Sequence, residues 1–266
     1  MSISSTLVDR AQIQFHEAAE ALRPFVGCFW VITAEQGATI RVVPDGSTAI
    51  SLQLQEGLPS EWLLRGPLVR PDERHFTSPA TLIGIRLRPG VAFLLSGIPA
   101  HTIVGRRVGL SGAAPFHALV ADDVSPCTPE RCIDVLQRFL LRRLEHAALH
   151  GTVATALQEI EREHGAVRVP DLAARCGVSS RHLHRLMRTW VGYGPKYYAT
   201  IIRFQATLHE MDDTPGRPAA ALAIGNGFFD QAHLTVDVSR FAGATPGRLA
   251  AAGVADFSKT RCNDLP

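Results

Sequence analysis

The 266-residue chain lacks several features that would set its class at once. No uninterrupted apolar run reaches about 18 residues, so no membrane-spanning helix is expected. The first residues, Met-Ser-Ile-Ser-Ser, show no basic segment followed by an apolar one. A secretory leader is therefore not expected, and the cytoplasm is the expected compartment. Cysteine is scarce and odd in number: Cys28, Cys127, Cys132, Cys176 and Cys262, irregularly spaced. That usage argues against a disulfide framework and fits a reducing compartment. Cys127 and Cys132 lack a second pair at zinc-finger spacing and read as incidental thiols. His75, His101 and His117 are scattered, without acids at ligand spacing, so no metal site is expected. The chain has no G-x-S-x-G, no Walker loop and no H-E-x-x-H, and thus no catalytic residue or cofactor is expected.

Charge is present but uneven. Residues 1–127 carry 10 Arg against 11 Asp or Glu, a net of −1, whereas residues 128–266 carry 17 cations against 14 anions, a net of +3. Positions 168–203 hold seven cations (Arg168, Arg175, Arg181, Arg185, Arg188, Lys196, Arg203) and one anion, Asp171. A local excess of this kind suits a polyanion, because Arg and Lys displace counterions condensed on phosphates. A merely solvated basic face would have the same composition, so arrangement has to decide.

The pattern predicts an α+β chain: a β-rich barrel or sandwich, then an all-α domain. Short runs at Phe25–Thr33, Thr39–Val43, Thr48–Gln55, Glu61–Leu64 and Thr81–Leu87 alternate with Gly, Pro and Asp clusters, as strands do. Several such runs suggest a closed or two-layered sheet over residues 1–125. A helix is expected from Pro89 through Leu95. Residues 126–150 read as a linker helix, with Ile133, Leu136, Leu140 and Leu144 at helical spacing. It could connect the domains, pair with a second copy or pack on its own domain. Val153, Leu157 and Ile160 mark a further helix ending at His164-Gly165. The helical domain is expected over 151–252, with a tail over 253–266.

Within it, Val169–Cys176 reads as a two-turn helix with Pro170 in its first turn. Gly177 can take the left-handed turn that follows, and Ser179 is a good N-cap for the next helix. Helix, tight turn and helix at this spacing is a helix-turn-helix. In the second helix, Ser180–Trp190, a wheel at 100° per residue puts Leu183, Leu186, Met187 and Trp190 on one side. Arg181, His184, Arg185 and Arg188 fall opposite, without acids four residues away. One face can bury while the other offers donors to a major groove, where Arg can pair bidentately with guanine.

The arrangement recurs fifty residues later, Ala173-x3-Gly177 matching Ala223-x3-Gly227 and Leu172 matching Leu222. Asp230 can cap a helix that buries Leu234, Val238 and Phe241. Gln231, His233 and Arg240 flank its outer face, which otherwise offers Ala232, Val236 and Ser239. A helix over Pro195–Met211 would join the units rigidly. Two successive major-groove segments lie about 34–36 Å apart, so one chain could occupy two turns of a duplex. Residues 204–248 carry three cations against five anions. The first unit is therefore expected to supply most affinity and base reading, and the second shape fit, thymine-methyl contact or phosphate contact.

These C-terminal residues resemble the AraC/XylS family of bacterial transcription regulators. The resemblance covers about residues 152–250. It rests on Leu172-Ala173-Ala174-x-Cys176-Gly177-Val178-Ser179, Arg188-x3-Gly192, Gly227-Phe228-x-Asp230-Gln231-Ala232-His233-Leu234 and Phe241-Ala242-Gly243-Ala244-Thr245-Pro246-Gly247. It implies base contacts from Arg181, His184 and Arg185 in the first unit and from Gln231, Ala232 and Val236 in the second. The chain departs from the family at Val236, at Val238 and at Gly225. Leu22-Arg23-Pro24-Phe25-x4-Trp30, Val43-Pro44-Asp45-Gly46 and Arg86-x-Arg88-Pro89-Gly90 resemble the β-rich domain of one branch of these regulators. That implies effector binding or dimerisation.

The expected function is sequence-specific binding of double-stranded DNA under control of a small-molecule effector or a homodimer contact. One alternative is a regulator controlled by a protein partner on the N-terminal domain. Another is a cysteine-dependent DNA-modifying enzyme with Cys28 as nucleophile, against which its apolar setting argues. Trp30, Trp62, Phe29, Phe76 and Phe93 read as core more than as a ligand pocket, and Arg86 and Arg88 as solvent-facing.

Overall fold

From Thr6 to Gly109 the backbone is largely extended, in seven strands that form one antiparallel sheet. They are β1 (Thr6–His16), β2 (Val26–Val42), β3 (Thr48–Gln55), β4 (Trp62–Arg65), β5 (Asp72–His75), β6 (Ala80–Leu87) and β7 (Arg107–Gly109). The molecule is a computed structural model that describes residues 6–55, 61–112, 116–117, 119 and 128–252. The tail expected over 253–266 lies outside them, as does Cys127. Sheet order is β1-β2-β6-β3-β4-β7, with β5 pairing to the far end of β2. Strand β2 runs for 17 residues where the pattern suggested two runs. The polar stretch Glu35–Gln36–Gly37 looks like a turn, and it falls in a bulge: β1 pairs with β2 on either side of residues 35–38, where Gly37 takes a φ of +79° and donates to the Phe76 carbonyl.

Alternation along the strands builds two apolar layers. Phe29, Val31, Ile50, Leu52, Ile83 and Ile85 face one way. They are covered by α1 (Val91–Ser96) and α2 (Pro129–Leu144), which buries Cys132, Val135, Leu136, Phe139, Leu140 and Leu144. Of the three roles open to this helix, packing on the sheet is the one seen. It stops at Leu144, and Gly151 begins the next helix rather than ending this one. Ile32, Ile40, Leu82 and Phe76 face the other way.

The C-terminal part is all helical: α3 (Gly151–Arg162), α4 (Val169–Arg175), α5 (Ser180–Val191), α6 (Pro195–Asp213), α7 (Ala219–Gly225), α8 (Gln231–Ala242) and α9 (Pro246–Ala252). An N-terminal antiparallel β-sheet domain is thus followed by a helical helix-turn-helix domain, as the sequence pattern anticipates. The two share a packed interface. Val43 belongs to the helical core, and Phe93 meets Trp190 edge-on at 4.7 Å between ring centres. Tyr193 donates to the Leu68 carbonyl at 2.5 Å and Gln205 to the Pro44 carbonyl at 2.7 Å. A β-carbon on Gly46, whose φ is +81°, would come within 2.5 Å of the Tyr198 ring.

Two readings need correction. Cys28 is disulfide-bonded, while Cys132 and Cys176 are not. Spacing along the chain does not record which sulfurs meet in space. Arg86 does not face open solvent: its side chain is 14% exposed and pairs with Asp45 at 2.6 Å.

Candidate nucleic-acid interface

Both helix-turn-helix units form through the local chemistry that their residues dictate. In each, a seven-residue helix (α4 or α7) ends before a glycine at φ +67°, Gly177 or Gly227, a conformation only glycine adopts cheaply. The following helix is capped by a side chain. Ser179 Oγ accepts from the His182 amide at 3.2 Å, and Asp230 Oδ1 from the His233 amide at 2.7 Å. Small residues at the crossings, Ala173 and Ala223, are buried and let each helix pair approach closely.

Helix α5 divides as its wheel requires. Leu183, Leu186 and Met187 are buried, and Arg181, His184, Arg185 and Arg188 are exposed. The cations of this region have different fates. Arg175 is tied to Glu159 at 3.1 Å, and Arg168 lies 3.8 Å from Asp171. Arg203 donates to the Gly227 carbonyl at 2.8 Å and lies over the Phe228 ring. Arg181, Arg185, Arg188 and Lys196 form no ion pair among the described residues. The local positive excess therefore resolves into four uncommitted cations on and beside one helix face.

The β-domain touches α5 at its C-terminal end. Gly192 lies against Pro67 and Val104, and the 3-10 turn Ala100–Thr102 packs beside the helix. His101 of that turn lines a shallow depression with Arg181, His184, Arg185 and Arg188. The reading face itself remains open.

In α8, Leu234, Val238 and Phe241 are buried, while Gln231, Ala232 and Val236 are exposed, Val236 to 64%. His233 approaches Asp237 at 3.5 Å. Arg240 donates to the Tyr197 hydroxyl at 3.1 Å and lies over its ring. Its guanidinium is held at the edge of a groove that runs between the units. Arg181, His184, Lys196, Thr200, His233 and Arg240 line this groove. Lys196 and Thr200 were not singled out from sequence. Lys196 belongs to the basic segment, but only the docking of α6 between the units puts it on the same face as α5.

Residues 172–252 match the family model described as a helix-turn-helix domain, and residues 14–109 match one described as a domain of unknown function (DUF6597). No curated protein matches. Several solved structures are similar. A probable AraC family transcriptional regulator from Rhodopseudomonas palustris is 23% identical over 39% of this chain and 97% of its own, at a TM-score of 0.36. The DNA-binding domain of AdpA, in complex with a target DNA, is 24% identical over 39% and 93%, at 0.35. ToxT from Vibrio cholerae is 9% identical over 91% and 98%, at 0.46.

Two capped helix-turn-helix units in tandem, the first with an open cationic face, define a DNA-binding transcription regulator. Its residues 172–252 match the helix-turn-helix family model, and their motifs resemble those of the AraC/XylS family.

Proposed function

We propose that the first unit carries most of the sequence recognition, with Arg181, His184 and Arg185 on base edges and Arg188 and Lys196 on phosphates. The second unit adds Gln231, Ala232 and Val236 at the adjacent groove segment. His233 and Arg240 bond the backbone between them. The β-domain serves as a sensor whose occupancy alters DNA binding, and the chain acts by binding rather than by catalysis.

One observation carries this reading. Helix α5 buries Leu183, Leu186 and Met187 while Arg181, His184, Arg185 and Arg188 on the other side stay exposed, with no acid among the described residues holding them. Such an arrangement is costly in self-repulsion unless a polyanion answers it. The test is to select bound genomic fragments by footprinting, then titrate a selected duplex by fluorescence anisotropy. Arg185→Ala should weaken specific binding by about 1–3 kcal/mol and relax preference at its base pair. Val236→Ala should do much less. The reverse ranking would overturn the division of labour between the units.

A further inference from the structure

The reading face is not built from the helical domain alone. An open depression of about 560 Å³, measured as the space open to the centre of a water molecule, runs along α5. Arg181, His184, Arg185 and Arg188 line it from the helix, and His101 lines it from the β-domain. One water needs about 10–15 Å³ on that measure, so the depression takes far more than a single ion. Its lining holds three arginines, three histidines (His101, His182 and His184) and no carboxylate. A surface of that chemistry suits an extended polyanion.

His101 stands there because the turn that carries it is pinned. Ala100 and Ile103 are buried, the Thr102 hydroxyl donates to the Pro99 carbonyl at 2.7 Å, and the Gly105 amide donates to the Pro67 carbonyl at 2.8 Å. His101 itself is exposed, and its ring has no hydrogen bond or ion pair among the described residues. Beneath the turn the two domains are locked together. Gly192, at the end of α5 with φ +96°, has no room for a β-carbon, which would come within 2.9 Å of Pro67 and 3.1 Å of Val104. The Tyr197 hydroxyl donates to the Val69 carbonyl at 3.2 Å. The imidazole is therefore held at a fixed place beside the C-terminal end of the reading helix, with an N–H to offer.

A helix lying in a major groove has a sugar-phosphate strand along each flank, and contacts to those phosphates fix its register without reading sequence. A duplex that reaches Arg185 and Arg188 fills this depression, and its backbone meets the wall that His101 forms. We propose that the β-domain touches the duplex directly: His101 donates a hydrogen bond to a phosphate on the flank of the first unit's site, beside the contact made by Arg188. The inference rests on reading α5 as the helix that enters the groove, and it adds a part of the β-domain to that surface.

The test uses the full chain and two duplexes of one length, a selected site and a random sequence, titrated by fluorescence anisotropy. His101→Ala should weaken both by a similar factor, about threefold to tenfold, the loss expected for one hydrogen bond to a phosphate. His101→Arg should tighten both and steepen the dependence of log K on log salt by about one unit. Gln14 serves as the control, being exposed on β1 at the opposite edge of the sheet from β7. Gln14→Ala and Gln14→Arg should leave the affinities and the salt slope unchanged. A photo-crosslinking amino acid at position 101 should capture the duplex, and one at position 14 should not. Parent-like affinity in His101→Ala, or no crosslink from position 101, would overturn the inference. So would tighter binding by His101→Ala, which would make the turn an obstruction, or an equal gain from Gln14→Arg, which would make the effect one of net charge. Arg185→Ala is run alongside. If it weakens the selected duplex while the His101 variants behave as the parent, this inference falls alone. If the parent chain binds neither duplex, the regulator reading falls and this inference with it.

Discussion

Arg185 and Val236 occupy comparable outer positions on the two reading helices, and their chemistry differs completely. A guanidinium can donate two hydrogen bonds to one guanine, while an isopropyl group can only touch a thymine methyl. That contrast underlies the ranking of the two substitutions. Tyr193 shows the same specificity at a buried site. Its hydroxyl is enclosed and donates to the Leu68 carbonyl, so Tyr193→Phe should cost about 0.5–1.5 kcal/mol of stability, measured by urea unfolding. Burial raises the pKa of Tyr193 and Tyr198 well above the ordinary phenol value, nearby Asp45 and Glu161 adding to it. A pKa raised on folding means that stability is full below the unfolded value of about 10 and is lost as pH climbs beyond it. Unfolding midpoints should therefore fall steeply in strong alkali, and the double Phe variant should flatten that fall.

At the scale of elements, the caps are the most local devices. Ser179→Ala removes the acceptor at the start of α5 and should lower stability by about 1 kcal/mol in thermal unfolding, with Asp230→Ala doing the same for α8. Ser179→Asp should restore what Ser179→Ala removes. Such features were legible in the sequence because a cap, a left-handed glycine and a 3.6-residue period each act within a few residues. Strand β3 was legible for the same reason, to the residue at both ends. Strands β1, β5 and β7 were not. The motif Asp72–His75 has no apolar alternation, and it is extended only because it pairs with β2. The long helix expected to run to Gly151 instead stops at Leu144, where its buried stripe reaches the end of the sheet core.

At the scale of the molecule, the loop Val43–Ser47 links the β-domain to the helical domain. Asp45 holds Arg86 and accepts from the Ser47 amide and hydroxyl, while Pro44 and Gly46 lie against α6. Gly46→Ala should destabilise the assembled molecule by about 1–3 kcal/mol, since its β-carbon would overlap the Tyr198 ring at a strained φ.

The primary sequence by itself determined the reading element. The periodicity of α5, the two glycine turns and the two caps are contacts within a dozen residues, so composition and spacing encode them directly. Only the tertiary structure decided the rest. The placing of Arg86, Arg65 and Arg107 in one row across β6, β4 and β7 depends on pairings of residues up to 42 positions apart. Whether a cation such as Arg175 is free or spent depends on which acid a neighbouring helix brings to it. Long-range register and ion pairing are set by the packing of whole layers, and no local pattern carries that information.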